Sequence, residues 1–172
     1  ILAADFSGNI CFGGLFSGTI DVNPDAGTMN LTSAGGLDFF IAKYNSSGAL
    51  LPFAIRIGGT MDDNLYDIKT DNQNNVYATG MFIGTVDFDP TGSTMNLVTA
   101  GFADIFQAKF SSTATLEFAK NMGGIPGESA GGIAPFASGK LVFSTGGAQA
   151  PYLGLNGERV LTTGFFLQRY EE

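Results

Sequence analysis

The strongest constraint on this chain is a long internal repeat. The stretch GTIDVNPDAGTMNLTSAGGLDFFIAKY, from Gly18, returns from Gly84, 66 positions later, as GTVDFDPTGSTMNLVTAGFADIFQAKF. Asp21 answers to Asp87, Pro24 to Pro90, Met29 to Met95 and Lys43 to Lys109. The match extends to both sides: DFSGNICFGG from Asp5 pairs with DNQNNVYATG from Asp71, and LPFAIRIGG with LEFAKNMGG after one residue is lost in the turn SSTAT. A third, shorter copy begins near GGIAPFASGKLVFSTGG, and its end, GFFLQRYEE, aligns with DFFIAKYNS and DIFQAKFSS. Tandem units of this kind bury their apolar faces against one another rather than singly, so the chain reads as an array.

Within each unit the apolar residues alternate with period two in short runs, the mark of half-buried strands. Phe40, Ala42 and Tyr44 share one face, Phe106, Ala108 and Phe110 repeat it, and Phe166, Gln168 and Tyr170 follow the same register. Lys43, Lys109 and Arg169 point the other way, toward solvent or a neighbour. Phe53, Ile55 and Ile57 make a second run, echoed by Leu116, Phe118 and Met122, and Ile68 and Ile133 mark another. Each unit thus offers four core strands. Between the second and third lies an extra hairpin, at 19–33, 85–99 and 152–163, expected to stand off the sheet edge in a row. The 25 glycines and a charged fraction of only 14% suit short strands and tight turns better than long helices. The expected fold is all-β: tandem four-stranded propeller-type blades, just under three of them, at 1–59, 60–124 and, in part, 125–172.

The segments GTVDFDP, MNLTSAGGLDFFIAKYNSSGALL, FAIRIGG and DNQNNVYATGMF resemble the tandem repeats of the bacterial SBBP-type β-propeller family. The resemblance covers nearly all of residues 1–124 and part of 125–172. It implies a module of a large secreted or surface protein of Bacteroidetes-like bacteria, and it implies no particular ligand. The family often has Trp where this chain has Phe53 and Phe118, and the chain contains no Trp.

Charge narrows the function classes. A net charge of −8 with only eight Lys and Arg argues against nucleic-acid binding and against docking on an anionic membrane. The longest apolar run, ALLPFAI, is too short to insert across a bilayer. The opening ILAAD has none of the regions of a signal peptide and reads as the interior of a longer polypeptide. The absence of histidine removes the commonest general base and metal ligand. Cys11 has no partner for a disulfide and reads as a small buried hydrophobe.

Three motifs bear on chemistry. GESAG, from Gly127 to Gly131, matches a nucleophile elbow centred on Ser129, but no histidine can take the serine proton, so the match is read as chance. DVNPDAG sets Asp21, Asn23, Asp25 and Gly27 at alternate positions, like the start of a calcium loop, while the second copy keeps Asp87 and Asp89 and has Thr91 in the third place. The ordinary reading is an Asx/Pro hairpin turn, so no cofactor is expected, with calcium at Asp21, Asn23 and Asp25 as the alternative. The adjacent acids Asp62 and Asp63, like Glu171 and Glu172, read as solvated loop acids rather than a glycosidase pair, because neighbours on a strand point to opposite faces.

The resulting expectation is a non-catalytic structural or adhesive module of an extracellular or cell-surface protein. It would present loops and hairpins to a protein or surface ligand, with further blades of the same chain or other copies of it as partners. The alternatives are a glycan-binding module and the non-catalytic flank of a secreted carbohydrate-active enzyme.

Overall fold

A computed structural model describes residues 1–123, 129–135 and 142–147; among them are strands, turns and bends but no helix. The chain is all-β. Strands β1 (Leu2–Ala4), β2 (Ile10–Phe16), β5 (Asp38–Tyr44) and β6 (Leu50–Ile57) form one four-stranded antiparallel sheet in that order. Strands β7 (Asn64–Thr70), β8 (Val76–Phe82), β11 (Asp104–Phe110) and β12 (Leu116–Met122) form a second sheet of the same plan. Between the second and third strand of each runs a two-stranded ribbon: β3 (Thr19–Asp21) with β4 (Asn30–Thr32), and β9 (Thr85–Asp87) with β10 (Asn96–Val98). A further antiparallel pair, β13 (Ser129–Pro135) and β14 (Val142–Gly147), follows. The hairpin expected at 152–163 and the run from Phe166 to Tyr170, with Arg169, lie outside the described residues.

The repeat extends to register. Gly14 pairs with Phe40 and Phe12 with Ala42; 66 residues on, Gly80 pairs with Phe106 and Ala78 with Ala108. The glycine is needed opposite the aromatic, because a Cβ on Gly14 or Gly80 would press into the ring of Phe40 or Phe106. A second constraint closes the return from ribbon to sheet. The Asp38 carboxylate accepts the Ala34 N–H at 2.9 Å, and that of Asp104 accepts the Ala100 N–H at 3.0 Å. Both carboxylates are buried, and a Cβ on Gly58 or Gly123 would collide with them. Arg56 donates to Asp38 in the first sheet, and Asn121 takes the same place on Asp104 in the second.

The two sheets pack through the alternation seen in sequence. Phe39, Ile41, Phe53, Ile55 and Ile57 of the first meet Val76, Ala78, Phe82, Phe106, Ala108 and Phe110 of the second in one apolar core. The Phe39 and Phe106 rings lie nearly parallel, 3° apart, with centroids at 5.1 Å. Full burial of each such side chain contributes roughly 1.5–3 kcal/mol. On the other face of the second sheet, Tyr77 and Phe118 pack with Ile133 of β13. As a result β11 is buried along its whole length, polar residues included.

One expectation needs correction and one is resolved. The ribbons do not stand off the sheets. Val86, Phe88 and Leu97 are buried in the inter-sheet core, and Val22 and Leu31 pack with Phe16, Phe40 and Ala42. Only the ribbon tips are free, because alternation along these three-residue strands turns one apolar face inward. Of the two options for the lysines, solvent is excluded: Lys43 and Lys109 are buried. Lys43 Nζ donates to the Asn74 carbonyl of the second sheet at 2.6 Å, lies 3.6 Å from Asp5, and sits 4.9 Å from the Phe53 ring centre. Lys109 Nζ pairs with Glu117 at 2.6 Å.

The repeats also differ at one backbone position. The turn after the third strand holds Gly48 at φ +87° in the first unit and Ala114 at φ +67° in the second. A left-handed non-glycine residue costs about 1–2 kcal/mol, partly offset by the lower unfolded-state entropy of alanine. Ala114→Gly should therefore raise stability by about 0.5–1 kcal/mol in chemical denaturation. Gly123→Ala should lower it by about 2 kcal/mol or more, because the new methyl group displaces the buried Asp104 carboxylate. Equal effects of the two changes would contradict the assigned turn and contact geometry.

Candidate functional site

The ribbon tips are the most exposed repeated feature, and their geometry follows from their acids. Asp21 Oδ1 accepts the N–H of Asn23 at 3.0 Å and, across the ribbon, that of Met29 at 2.8 Å. Asn23 Oδ1 then accepts the Asp25 N–H at 3.0 Å. The second copy repeats the arrangement: Asp87 Oδ1 takes the N–H of Asp89 and of Met95, and Asp89 Oδ1 takes both the N–H and the hydroxyl of Thr91. These are nested Asx turns. The bonds from Met29 and Asn23 hold the Asp21 carboxyl below the usual range, and those from Thr91 do the same for Asp89. Among the described residues, no three His, Cys, Asp or Glu side chains are grouped to hold a metal.

A cleft of about 530 Å³ separates the first ribbon from the tip of the second. Its walls are Asn30 and Thr32 on one side and Asp87, Asp89 and Thr94 on the other, with Arg56 of β6 along the floor. The lining mixes polar and apolar groups and carries both signs of charge. It contains no aromatic side chain on which a sugar ring could stack.

The other sequence candidates separate. Ser129 opens β13 and pairs with Gly147, so an extended strand stands where an elbow needs a turn into a helix. Residues 127 and 128 of that motif, and Glu171 and Glu172, lie outside the described residues. Cys11 is buried in the inter-sheet core, and burial pushes its thiol up to about 11, well away from thiolate chemistry at neutral pH.

Asp62 and Asp63 do not share a role. Asp62 is exposed and accepts the Leu37 N–H at 2.9 Å. Asp63, expected to be solvated, is fully buried, with Oδ2 accepting the Gly59 N–H at 2.7 Å and Oδ1 the Ile83 N–H at 3.0 Å. Its own N–H donates to the Leu37 carbonyl at 2.6 Å. Asp63 thereby ties the inter-sheet connection, 58–63, to both sheets. Burial pushes its carboxyl up to about 6, against the downward pull of the two N–H donors, and the nearby Asp38 and Asp62 add to the rise.

No protein-family model matches the chain, and no curated protein matches it.

Two measurements follow from this geometry. The Asp63 carboxyl binds its proton more tightly in the folded chain, at about 6 against an ordinary 3.8. Its contribution is complete below pH 3.8 and is lost as pH rises through 6, a loss of roughly 1–3 kcal/mol. Thermal melts should show that decline between about pH 4 and 7, and Asp63→Asn, which cannot ionise, should flatten it. A chelator should leave the melting temperature unchanged, because backbone N–H groups already engage the tip carboxylates. Asp21→Ala should lower the melting temperature to the same extent with and without chelator. Chelator sensitivity that Asp21→Ala removes would establish the calcium reading instead.

Proposed function

We propose that the chain is a non-catalytic structural module of an extracellular or cell-surface protein, built of propeller-type blades, that holds a row of ribbon tips for contact with a protein or surface partner. The observation that carries this reading is the repetition of one exposed device on one rigid base. The tips at 21–29 and 87–95 have the same Asx-turn bonding, and each ribbon is rooted in an apolar cluster against its own sheet. Loops fixed on a packed scaffold lose little entropy when they bind, which suits recognition.

The blade reading rests on two sheets of the same strand order stacked face to face, with equivalent inner strands side by side. Thr70 Oγ1 of β7 donates to the Ala4 carbonyl of β1 at 2.8 Å, and the Ile133 N–H of β13 donates to Asp67 of β7 at 3.1 Å. Both contacts join residues 66 positions apart, as repetition about a common axis requires. The division into units at 1–59, 60–124 and 125–172 belongs to the same reading. Glycan binding is the weaker alternative, because the cleft between ribbons has no aromatic platform.

Beads coated with the chain should adhere to intact cells of the source organism. Replacing residues 24–27 and 90–93 with Gly-Ser linkers should leave circular dichroism unchanged and reduce adhesion at least about tenfold, the effect of losing roughly 1.4 kcal/mol of contact. Full adhesion by the folded variant would remove the tips from the contact face. Adhesion abolished by free sugars would favour the glycan reading.

A further inference from the structure

The lysine of the third strand is served differently in the two units. Lys109 Nζ meets the Glu117 carboxylate at 2.6 Å, and beside it the Tyr77 hydroxyl donates to Asp71 at 3.2 Å. Its counterpart Lys43 has neither neighbour, because the aligned residues are Pro52 and Cys11. The Lys43 side chain is only 3% exposed, yet its ammonium makes one hydrogen bond, to the Asn74 carbonyl. The Asp5 carboxylate, at 3.6 Å, is beyond hydrogen-bond distance, and the Phe53 ring offers its face but no lone pair. An ammonium carries three N–H donors, so two are left without an oxygen acceptor, which is costly for a buried charge. Asn74 Oδ1 is likewise buried and without a donor.

Both residues line one pocket. About 270 Å³ of open space lies between β6 of the first sheet, at Leu51, Pro52 and Phe53, and the turns of the second, with Lys43, Asp5 and Asn74 on its walls. The lining is mostly apolar, and none of it belongs to a ribbon. We propose that this pocket binds a small organic acid with an apolar body, whose carboxylate takes the place at Lys43 that Glu117 takes at Lys109. The second unit selects this chemistry. Around Tyr77 it gathers Lys109, Asp71 and Glu117, one cation and two carboxylates. Lys43 and Asp5 are one cation and one carboxylate, so a bound carboxylate gives the first unit the same complement. A charge-assisted bond to the ammonium is also the strongest that a small ligand can make there. The hydrocarbon part covers Leu51 and Pro52, which an inorganic anion would leave wet. A hydroxyl beside the carboxylate gives Asn74 Oδ1 its missing donor.

Titration of the 172-residue chain with mandelate, followed by nuclear magnetic resonance, tests the site. The amide signals of Asn74 and Thr113, which border the pocket, should shift and saturate with a midpoint on the order of 1 mM. Mandelamide, the same body without the charge, should bind at least about tenfold more weakly. Pro52→Glu, which installs the second unit's own carboxylate, should compete from within and weaken mandelate binding at least about tenfold. Pro52→Ala, which removes the ring without adding an acceptor, should bind mandelate as the unaltered chain does. Shifts that fail to saturate by about 30 mM mandelate would overturn the site. Equal binding of mandelamide would overturn it too, because Lys43 would then not be reading the charge. So would an equal loss of binding in Pro52→Ala and Pro52→Glu, or full binding by a folded Pro52→Glu chain.

Discussion

The structure depends on the contact of one sheet face with the next, centred where the Phe39 ring lies flat on that of Phe106. Neither residue could be buried within its own sheet, because a single antiparallel layer has two faces and no interior. The third strand of the first and second units is therefore buried on both sides. Phe39 and Ile41 look toward the second sheet, and Phe40 and Ala42 toward the ribbon of the first. Glycines at 14 and 80 make room beneath the aromatic ring, and glycines at 58 and 123 make room beside the buried aspartate. Each of these small residues is explained by a large or charged neighbour one strand away.

Much of this was legible in the sequence. The 66-residue repeat, read with period-two alternation, identifies the four strands of each unit and the inserted hairpin, because both signals are local. The Asx turns were legible for the same reason, since Asp21, Asn23 and Pro24 act on their own backbone. What could not be read is what depends on the placement of one unit against another. Lys43 in FFIAKY reads as pointing to solvent or to a neighbour, and only the packing shows that its ammonium reaches the Asn74 carbonyl of the next sheet. Asp63 looks like a loop acid in TMDDN, yet it is buried where Gly59 and Ile83 converge. The polar cleft draws its walls from residues near 30, 55 and 90, which no sequence motif connects.

The differences between the repeats are as informative as the matches. Where the second unit has Ala78 and Phe88, the first has Phe12 and Val22, an exchange of bulk between sheet and ribbon on the same face. Phe88 reaches Phe106 and Phe82 from the ribbon, while in the first unit Phe12 reaches Phe40 from the sheet. The filling of the aromatic layer is conserved between units although its source is not, as close packing allows when total volume is kept.

The connection between the sheets has a mechanical consequence. Residues 58–63 run from the edge strand β6 of one sheet to the edge strand β7 of the next, and Asp63 fastens that passage to Gly59, Leu37 and Ile83 at once. The passage is thereby cross-linked on both sides, so the two sheets cannot slide apart at this joint without breaking these bonds together.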